Sequence, residues 1–258
     1  MATTNDASPQ TSRGWVQGKV VERIDWNPRL FSLKVSADTD PFVAGQFGKL
    51  ALEQQGERVQ RAYSFVNPPE QDTLEFLAVT VEEGELSPRL QDLSPGDEVM
   101  VATRPNGFLT LDEVPAGREL WMFATGTAVG PFLSILQSED CWERYETFVL
   151  VYAVRHSDDL AYLPLIEALL AKHPQQLRFV PIVSRDDDPN ALKGRIPELL
   201  KSGVIQQRAD VPIAPARSQT MICGNPEMIR DTVEVLEEMG LRKNLRRTPG
   251  QITVEKYW

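Results

Sequence analysis

The sequence predicts a two-domain chain, an N-terminal antiparallel β-barrel followed by an α/β domain built on a parallel sheet. Three observations predict it. Up to residue 111 short strand patterns follow one another, punctuated by Asn67-Pro68-Pro69, Ser94-Pro95-Gly96-Asp97 and Arg104-Pro105-Asn106-Gly107. After residue 117 strands alternate with helices, an order that calls for right-handed crossovers and a parallel sheet. Between the two lies Pro115-Ala116-Gly117. The expected division is a flexible tail at 1–14, a barrel at 15–115 and an α/β domain at 116–258.

The barrel strands are expected at 15–24, 30–35, 46–52, 60–66, 74–81 and 98–102, with one helix near 87–93. Six strands at short spacing suit a small closed sheet. The second half should form strands at 120–124, 147–154, 177–183 and 220–223. Helices are expected at 131–136, 160–172, 196–200 and 226–239, and residues 208–218, with Pro212 and Pro215, read as a surface loop. In such a sheet ligands collect at the carboxyl ends of the strands.

Composition narrows the chemistry. The 258 residues are 41% hydrophobic and 25% charged, enough for two modest cores. A net charge of -10 argues against general nucleic-acid binding, which depends on neutralising phosphates. No stretch approaches the roughly 20 apolar residues of a membrane span, and the polar residues 1–13 do not resemble a signal peptide. A soluble, cytoplasmic protein is expected. Two cysteines, Cys141 and Cys223, and two histidines, His156 and His173, make a metal or iron–sulfur site improbable. Redox chemistry would then need a bound organic cofactor.

Four stretches carry candidate chemistry. Leu120-Trp121-Met122-Phe123-Ala124 runs into Thr125-Gly126-Thr127, and Pro131 opens a helix. A strand, a glycine loop and a helix N-terminus aim free N–H groups at an anion. Arg61-Ala62-Tyr63-Ser64 ends a strand, where alternation puts a cation and a flat ring on one side. Gly84-Glu85-Leu86-Ser87-Pro88 offers a second anion turn, with Ser87 at the N-cap and Pro88 at the first helical position. The fourth is Cys223-Gly224-Asn225-Pro226-Glu227-Met228. Tight turns, a solvated Arg with a cross-strand Tyr, simple helix capping and an inert packed cysteine are the competing structural readings.

Taken together, and in this order, these motifs resemble the ferredoxin–NADP reductase family, over nearly the whole chain from Trp15 to Trp258 and closest to its bacterial ferredoxin/flavodoxin–NADP reductases. Arg61 to Ser64 match Arg-x-Tyr-Ser, residues 84–87 match the second flavin-phosphate turn, and Cys223 to Met228 match Cys-Gly-x-Pro-x-Met. The nucleotide loop departs from the commoner Gly-Thr-Gly-x-x-Pro, because Ala128 stands at the second glycine and Gly130 comes later.

The resemblance implies an FAD-binding barrel, an NADP-binding sheet and hydride exchange between NADP(H) and flavin N5 at the seam. Arg61 would pair with the FAD pyrophosphate, Ala62 and Tyr63 would line the flavin, and Ser64 would hydrogen-bond near N5. Gly84, Leu86 and Ser87 would complete the phosphate cradle, and Thr127 would touch both cofactors. Thr125, Gly126, Gly224 and Asn225 would hold NADP(H), with Cys223 beside the nicotinamide as a positioning residue. Val254-Glu255-Lys256-Tyr257-Trp258 resembles the family's Glu-x-Tyr ending with one residue added. By that match Glu255 orients or relays protons with Ser64, Tyr257 covers the flavin face, and Trp258 stacks on the adenine. The electron carriers would be ferredoxin or flavodoxin, met by a monomer. A free-flavin reductase, an oxygenase component or a nucleotide-sensing module without turnover are the alternatives.

Coenzyme choice can be argued from strand ends. An NAD-selective sheet ends its second strand in an acid, whereas a 2′-phosphate needs cations. Here the second strand runs into Arg155, the third into Arg185, and Arg195 follows, which favours NADP(H). Asp158 and Asp159 are expected to cap the helix that starts at Leu160. Arg242-Lys243 and Arg246-Arg247 offer an acidic carrier a local docking face, or form a solvated helix face.

Overall fold

Leu74, Phe76 and Ala78 point into one apolar core and Leu77 into another, and this alternation on a single strand is where the two halves meet. The computed structural model describes residues 14–256. Its first half is a six-stranded antiparallel sheet of β1 (Trp15–Asp25), β2 (Leu30–Ser36), β3 (Phe47–Gln54), β4 (Glu57–Ser64), β5 (Leu74–Val79) and β6 (Glu98–Ala102), in the order β4-β3-β6-β1-β2-β5. The end strands approach each other just past β4: Phe65 bridges Phe76, and Val66 N–H donates to the Glu75 carbonyl at 2.9 Å, curling the sheet into a barrel. Phe31, Phe65 and Phe76 fill it. Each contributes roughly 1.5–3 kcal/mol by leaving water.

The second sheet is parallel throughout: β7 (Glu119–Thr125), β8 (Thr147–Val154), β9 (Leu177–Val183), β10 (Leu192–Lys193), β11 (Ser218–Gly224) and β12 (Ile252–Lys256), in the order β10-β9-β8-β7-β11-β12. β7 is central and buried on both faces. Leu120, Met122 and Ala124 meet α2 (Gly130–Gln137) and α3 (Leu163–Lys172), whereas Trp121 and Phe123 meet α4 (Ile196–Lys201), α5 (Val204–Ala209) and α6 (Pro226–Glu238). A strand covered on both sides reads as a continuous apolar run, which is why this one stands out in the sequence.

The expected strands are all present, and the second sheet gains β10 and β12, so it has six strands where four were read. Helix α5 occupies part of a stretch read as unstructured, and the 208–218 loop begins only after Ala209. Helix α1 (Ser87–Gln91) begins one residue earlier than read: Leu86 holds the cap position and Pro88 is the second helical residue. Ser87 caps nothing. Its Oγ accepts the Val81 N–H at 2.9 Å and closes the 81–87 loop. Asp158 and Asp159 do not cap the following helix, which starts at Leu163. They end a 3-10 turn, in which an Asp159 oxygen accepts the His156 N–H at 3.2 Å. Residues 242–247 are not a helix face: Lys243 bridges Ile252 beside β12, and Leu245 bridges Thr248 across a tight turn.

Helix α2 fastens the halves together. Ser134 Oγ donates to the Asn67 carbonyl at 2.7 Å and Gln137 Nε2 to the Val66 carbonyl at 2.7 Å, both on the barrel. Phe132 and Ile135 pack beside Leu30, Leu77 and Leu109 of the barrel.

Candidate active site

The chain leaves β7 to build β8, β9 and β10 on one side, then returns to lay β11 and β12 on the other. That reversal opens a crevice at the carboxyl ends of β7 and β11, the usual ligand position in such sheets. Thr125 and Gly224 face each other across it. Gly224 has φ +140°, and a Cβ there would lie 2.0 Å from Thr125 Oγ1, so only glycine allows this approach. The same Oγ1 accepts the Asn225 N–H at 3.0 Å. Asn225 then caps α6, its Oδ1 accepting from Glu227 N at 2.8 Å and Met228 N at 3.3 Å.

After Thr125 the chain forms a 3-10 turn, Gly126–Val129, and α2 begins at Gly130, one residue before the expected Pro131. Gly126 has φ +56° and nothing within 4 Å of where its Cβ would be, so the backbone is open to an approaching group. Thr127 is buried. The start of α2 lies against the end of β4: a Cβ on Gly130 would sit 3.7 Å from Ser64 Cβ. This contact brings the nucleotide turn to the barrel residue read as the flavin N5 partner.

Cys223 and Glu255 are neighbours across β11 and β12. Burial pushes the Cys223 thiol well above its ordinary value, and the Glu255 charge adds to the rise. The sulfur is therefore a neutral thiol that can position a ring, not a nucleophile. Glu255 reaches the barrel side, where its Oε1 accepts the Phe108 N–H at 3.3 Å, and a Cβ on Gly107 would lie 3.1 Å from that oxygen. Burial raises its pKa, and the Phe108 N–H only partly offsets this. Ser64, 2% exposed, pairs in register with Phe47, which in turn bridges Asn106 beside Gly107. Ser64, Glu255 and Cys223 thus gather at one seam, while Tyr257 and Trp258 lie outside the described residues.

Along the barrel, Arg61 and Ala62 are exposed and Tyr63 is half-buried, its phenol pushed up to about 12 by burial against the Arg61 charge. Arg61 Nη2 meets Glu85 of the second turn at 2.9 Å. Leu86 does not offer its side chain, which is buried in the barrel core, so only its backbone is available to a ligand. Ser87 Oγ accepts from Val81 and keeps its own proton to donate. An exposed guanidinium beside a glycine turn with a free hydroxyl proton fits a pyrophosphate.

On the far edge, Arg155 follows β8, Arg185 follows β9 and Arg195 follows β10. Arg185 N–H donates to the Arg155 carbonyl at 2.9 Å. Adjacent strand ends lie about 4.8 Å apart, within reach of one phosphate. All three are exposed, and among the described residues none joins an ion pair, so their forks are available to an anion. Reasoning from sequence missed Phe108, which holds Glu255, and the pairing of Glu85 with Arg61. Residues 104–107 signalled a turn but gave no sign of the distant Glu255.

An antiparallel barrel joined to a parallel sheet with a crevice at its strand ends and a cationic edge is the architecture of a two-domain flavin- and pyridine-nucleotide-dependent oxidoreductase. Residues 18–109 match the model of the oxidoreductase FAD-binding domain, and residues 122–234 match that of the oxidoreductase NAD-binding domain. The chain is 51% identical over 245 residues to a flavodoxin/ferredoxin–NADP reductase of Escherichia coli, covering 95% of this chain and 99% of that one. It is 36% identical over 241 residues to a ferredoxin–NADP reductase of Pseudomonas aeruginosa, covering 90% and 93%. A crystal structure of a ferredoxin NADP+ reductase from Neisseria gonorrhoeae with bound FAD and NADP superposes with a TM-score of 0.89 at 34% identity, covering 95% and 99%. The chain belongs to the ferredoxin/flavodoxin–NADP reductase family.

Proposed function

We propose that this protein is an FAD-dependent reductase that exchanges electrons between NADP(H) and the one-electron carriers ferredoxin or flavodoxin. The observation that carries the reading is the seam itself, where Ser64, Glu255 and Cys223 converge; the barrel adds an exposed Arg61 and the other sheet three exposed arginines that, among the described residues, join no ion pair. Bound FAD would supply the electron storage that links a two-electron donor to one-electron carriers. The relatives named for flavodoxin and ferredoxin support those carriers over a free flavin, an oxygenase or a role without turnover.

Each residue has a role in this reading. Arg61, the backbone around Gly84 and Leu86, and the Ser87 hydroxyl hold the pyrophosphate, while Ala62 and Tyr63 line the flavin. Thr125, Gly126, Thr127, Gly224 and Asn225 bind the nucleotide backbone, and Arg155, Arg185 and Arg195 grip its 2′-phosphate. Cys223 would pack beside a bound nicotinamide and help to orient it. Ser64 and Glu255 would hold the proton near flavin N5, with Glu255 fixed by the Phe108 N–H. Tyr257 and Trp258, outside the described residues, would by the family pattern cover the flavin face and stack on the adenine. The division at 115/116 separates the two binding units, and the protein works as a cytoplasmic monomer. Acidic carriers dock on Arg242, Lys243, Arg246 and Arg247 around the exposed Leu245.

The test is the visible spectrum of the purified protein, followed anaerobically as NADPH or NADH is added. Fast bleaching by NADPH, slow bleaching by NADH and onward reduction of added flavodoxin or ferredoxin is the expected result. A colourless protein that takes up no FAD, or a flavin that neither nucleotide reduces, would overturn the reading.

A further inference from the structure

Arg155 begins a short connection, residues 155–162, that ends in the core between the two halves, against the outer face of the barrel. At its end Tyr162 is buried at 5% exposure in a left-handed conformation, φ +62°, which a tyrosine adopts only when its surroundings hold it there. Its hydroxyl donates to Glu75 Oε1 at 2.7 Å and lies 2.6 Å from Ser32 Oγ, and its ring lies 4.5 Å from that of Trp26. Trp26 Nε1 donates to the same Ser32 Oγ at 2.8 Å. Since the Tyr162 proton goes to Glu75, Ser32 must donate to Tyr162. The result is a directed chain from Trp26 through Ser32 and Tyr162 to the Glu75 carboxylate, three residues of the barrel closed by one of the α/β domain.

The rest of the connection is held as firmly. Asn27 of the barrel donates to the Asp158 carbonyl at 3.1 Å and to Asp159 Oδ1 at 3.0 Å. Near Arg155, Asp186 takes the Ser157 N–H at 2.8 Å and lies 2.9 Å from His156 Nδ1, which ties this connection to the one that carries Arg185. Glu75 is 9% exposed, and Lys34 stands opposite it on β2. Apolar packing alone would not require a buried carboxylate there. What the carboxylate adds is direction, because a satisfied buried network admits one arrangement of its members.

We propose that Tyr162, locked by Glu75 and Ser32, is a positioning residue for coenzyme selectivity. It fixes the Arg155–Arg185 pair relative to the barrel, so the 2′-phosphate is gripped when the nicotinamide lies at the seam. This rests on the reading of Arg155, Arg185 and Arg195 as the 2′-phosphate site.

The experiment compares Tyr162→Phe, Glu75→Gln and Arg155→Ala in the FAD-loaded protein. It measures calorimetric binding of 2′,5′-ADP and 5′-AMP, and steady-state reduction of ferricyanide by NADPH and by NADH. Tyr162→Phe should weaken 2′,5′-ADP and raise KM for NADPH by at least about fivefold, the low end of ordinary coupling between sites. Binding of 5′-AMP, KM for NADH and kcat should stay within about twofold. Glu75→Gln keeps an acceptor for the Tyr162 hydroxyl and should lie nearer the unaltered protein. Equal changes toward both ligands, or a lower Tm with unchanged discrimination, would overturn the proposal. If Arg155→Ala leaves the discrimination intact, the arginine reading itself fails; if it abolishes discrimination while Tyr162→Phe does not, the positioning role alone fails. Should Tyr162→Phe not fold, Asn27→Ala releases the other barrel contact and should shift discrimination in the same direction, and no shift would overturn the proposal.

Discussion

Arg61 Nη2 lies 2.9 Å from Glu85 Oε2, and this ion pair joins the end of β4 to the 84–87 turn. Both side chains are more than half exposed, so the pair contributes little to stability, about 0–1 kcal/mol. Its consequence is for binding, because Glu85 sets an anion where a pyrophosphate would meet Arg61. Glu85→Gln is expected to tighten FAD binding roughly two- to fivefold, as loss of an exposed like charge allows. Arg61→Ala should weaken it by about tenfold or more, since a hydrogen bond to a charged group contributes about 1.5–3 kcal/mol. Quenching of FAD fluorescence by the apoprotein measures both, and unchanged or weaker binding by Glu85→Gln would show that the carboxylate does not compete.

Cys141 and Cys223 should be inert in the folded protein. Both are almost fully buried, and burial pushes the Cys141 thiol up to about 12 and that of Cys223 well above its ordinary value. A thiol reacts as its thiolate. A chromogenic disulfide reagent at neutral pH should therefore find no reactive thiol until denaturant is added, and then both. Prompt reaction of one thiol in the native protein, assigned by mapping the labelled peptide, would mean that the labelled cysteine is more open and more acidic than its surroundings imply.

How much could be read in advance follows burial and sequence distance. The bounds of β8 and β9 coincide with those expected, because strands covered on both faces are long apolar runs ended by polar residues. Strand β12 was hidden: Ile-Thr-Val-Glu-Lys mixes polar with apolar residues, as befits the strand at the sheet's end. Helix α5 is only six residues, set between left-handed Gly203 and Asp210, too short for a periodic signal. The site's motifs are local in sequence and could be recognised. What holds them is not: Phe108 finds Glu255 147 residues away, and Tyr162 finds Ser32 and Glu75 at separations of 130 and 87. Such pairings leave no trace in spacing or composition.

Glu255 links stability to pH in a definite direction. Its folded pKa is raised above the ordinary 4.5, so folding favours the protonated carboxyl. Its contribution is fully present below the unfolded value and is lost as pH rises through the folded value. Glutamine cannot ionise and escapes this loss. The Tm of Glu255→Gln relative to the unaltered protein should therefore rise between about pH 4 and about pH 7. A difference that is flat or falls over that interval would mean that the carboxylate is better satisfied in the folded chain than the Phe108 N–H allows.

Arg246 and Arg247 follow the exposed Leu245 in a turn beside β12 and, among the described residues, join no ion pair. Reversing both charges should raise KM for flavodoxin or ferredoxin about tenfold at low salt, with the gap narrowing as salt screens it. NADPH-driven ferricyanide reduction should stay unchanged, because the turn lies apart from the arginines of the other sheet edge. An equal loss with ferricyanide would place the damage in the flavin site; no change with either acceptor would move the docking face elsewhere.

Gly126 and Gly224 both have positive φ, yet they should fail differently. An added methyl at Gly224 would lie 2.0 Å from Thr125 Oγ1 and disturb the hydrogen bond that this oxygen accepts from Asn225 N. Overpacking and backbone strain together should cost about 2–4 kcal/mol. At Gly126 the methyl meets nothing within 4 Å, so Gly126→Ala should lose only the left-handed penalty, about 1–2 kcal/mol, and a few degrees of Tm. The space it fills, however, is that through which a phosphate would reach the backbone. Gly126→Ala should keep its FAD and most of its stability while NADPH binding weakens about tenfold, and Gly224→Ala should show its loss first in Tm. If Gly126→Ala binds NADPH as tightly as the unaltered chain, the turn after β7 serves helix entry alone and the nucleotide lies elsewhere along the crevice.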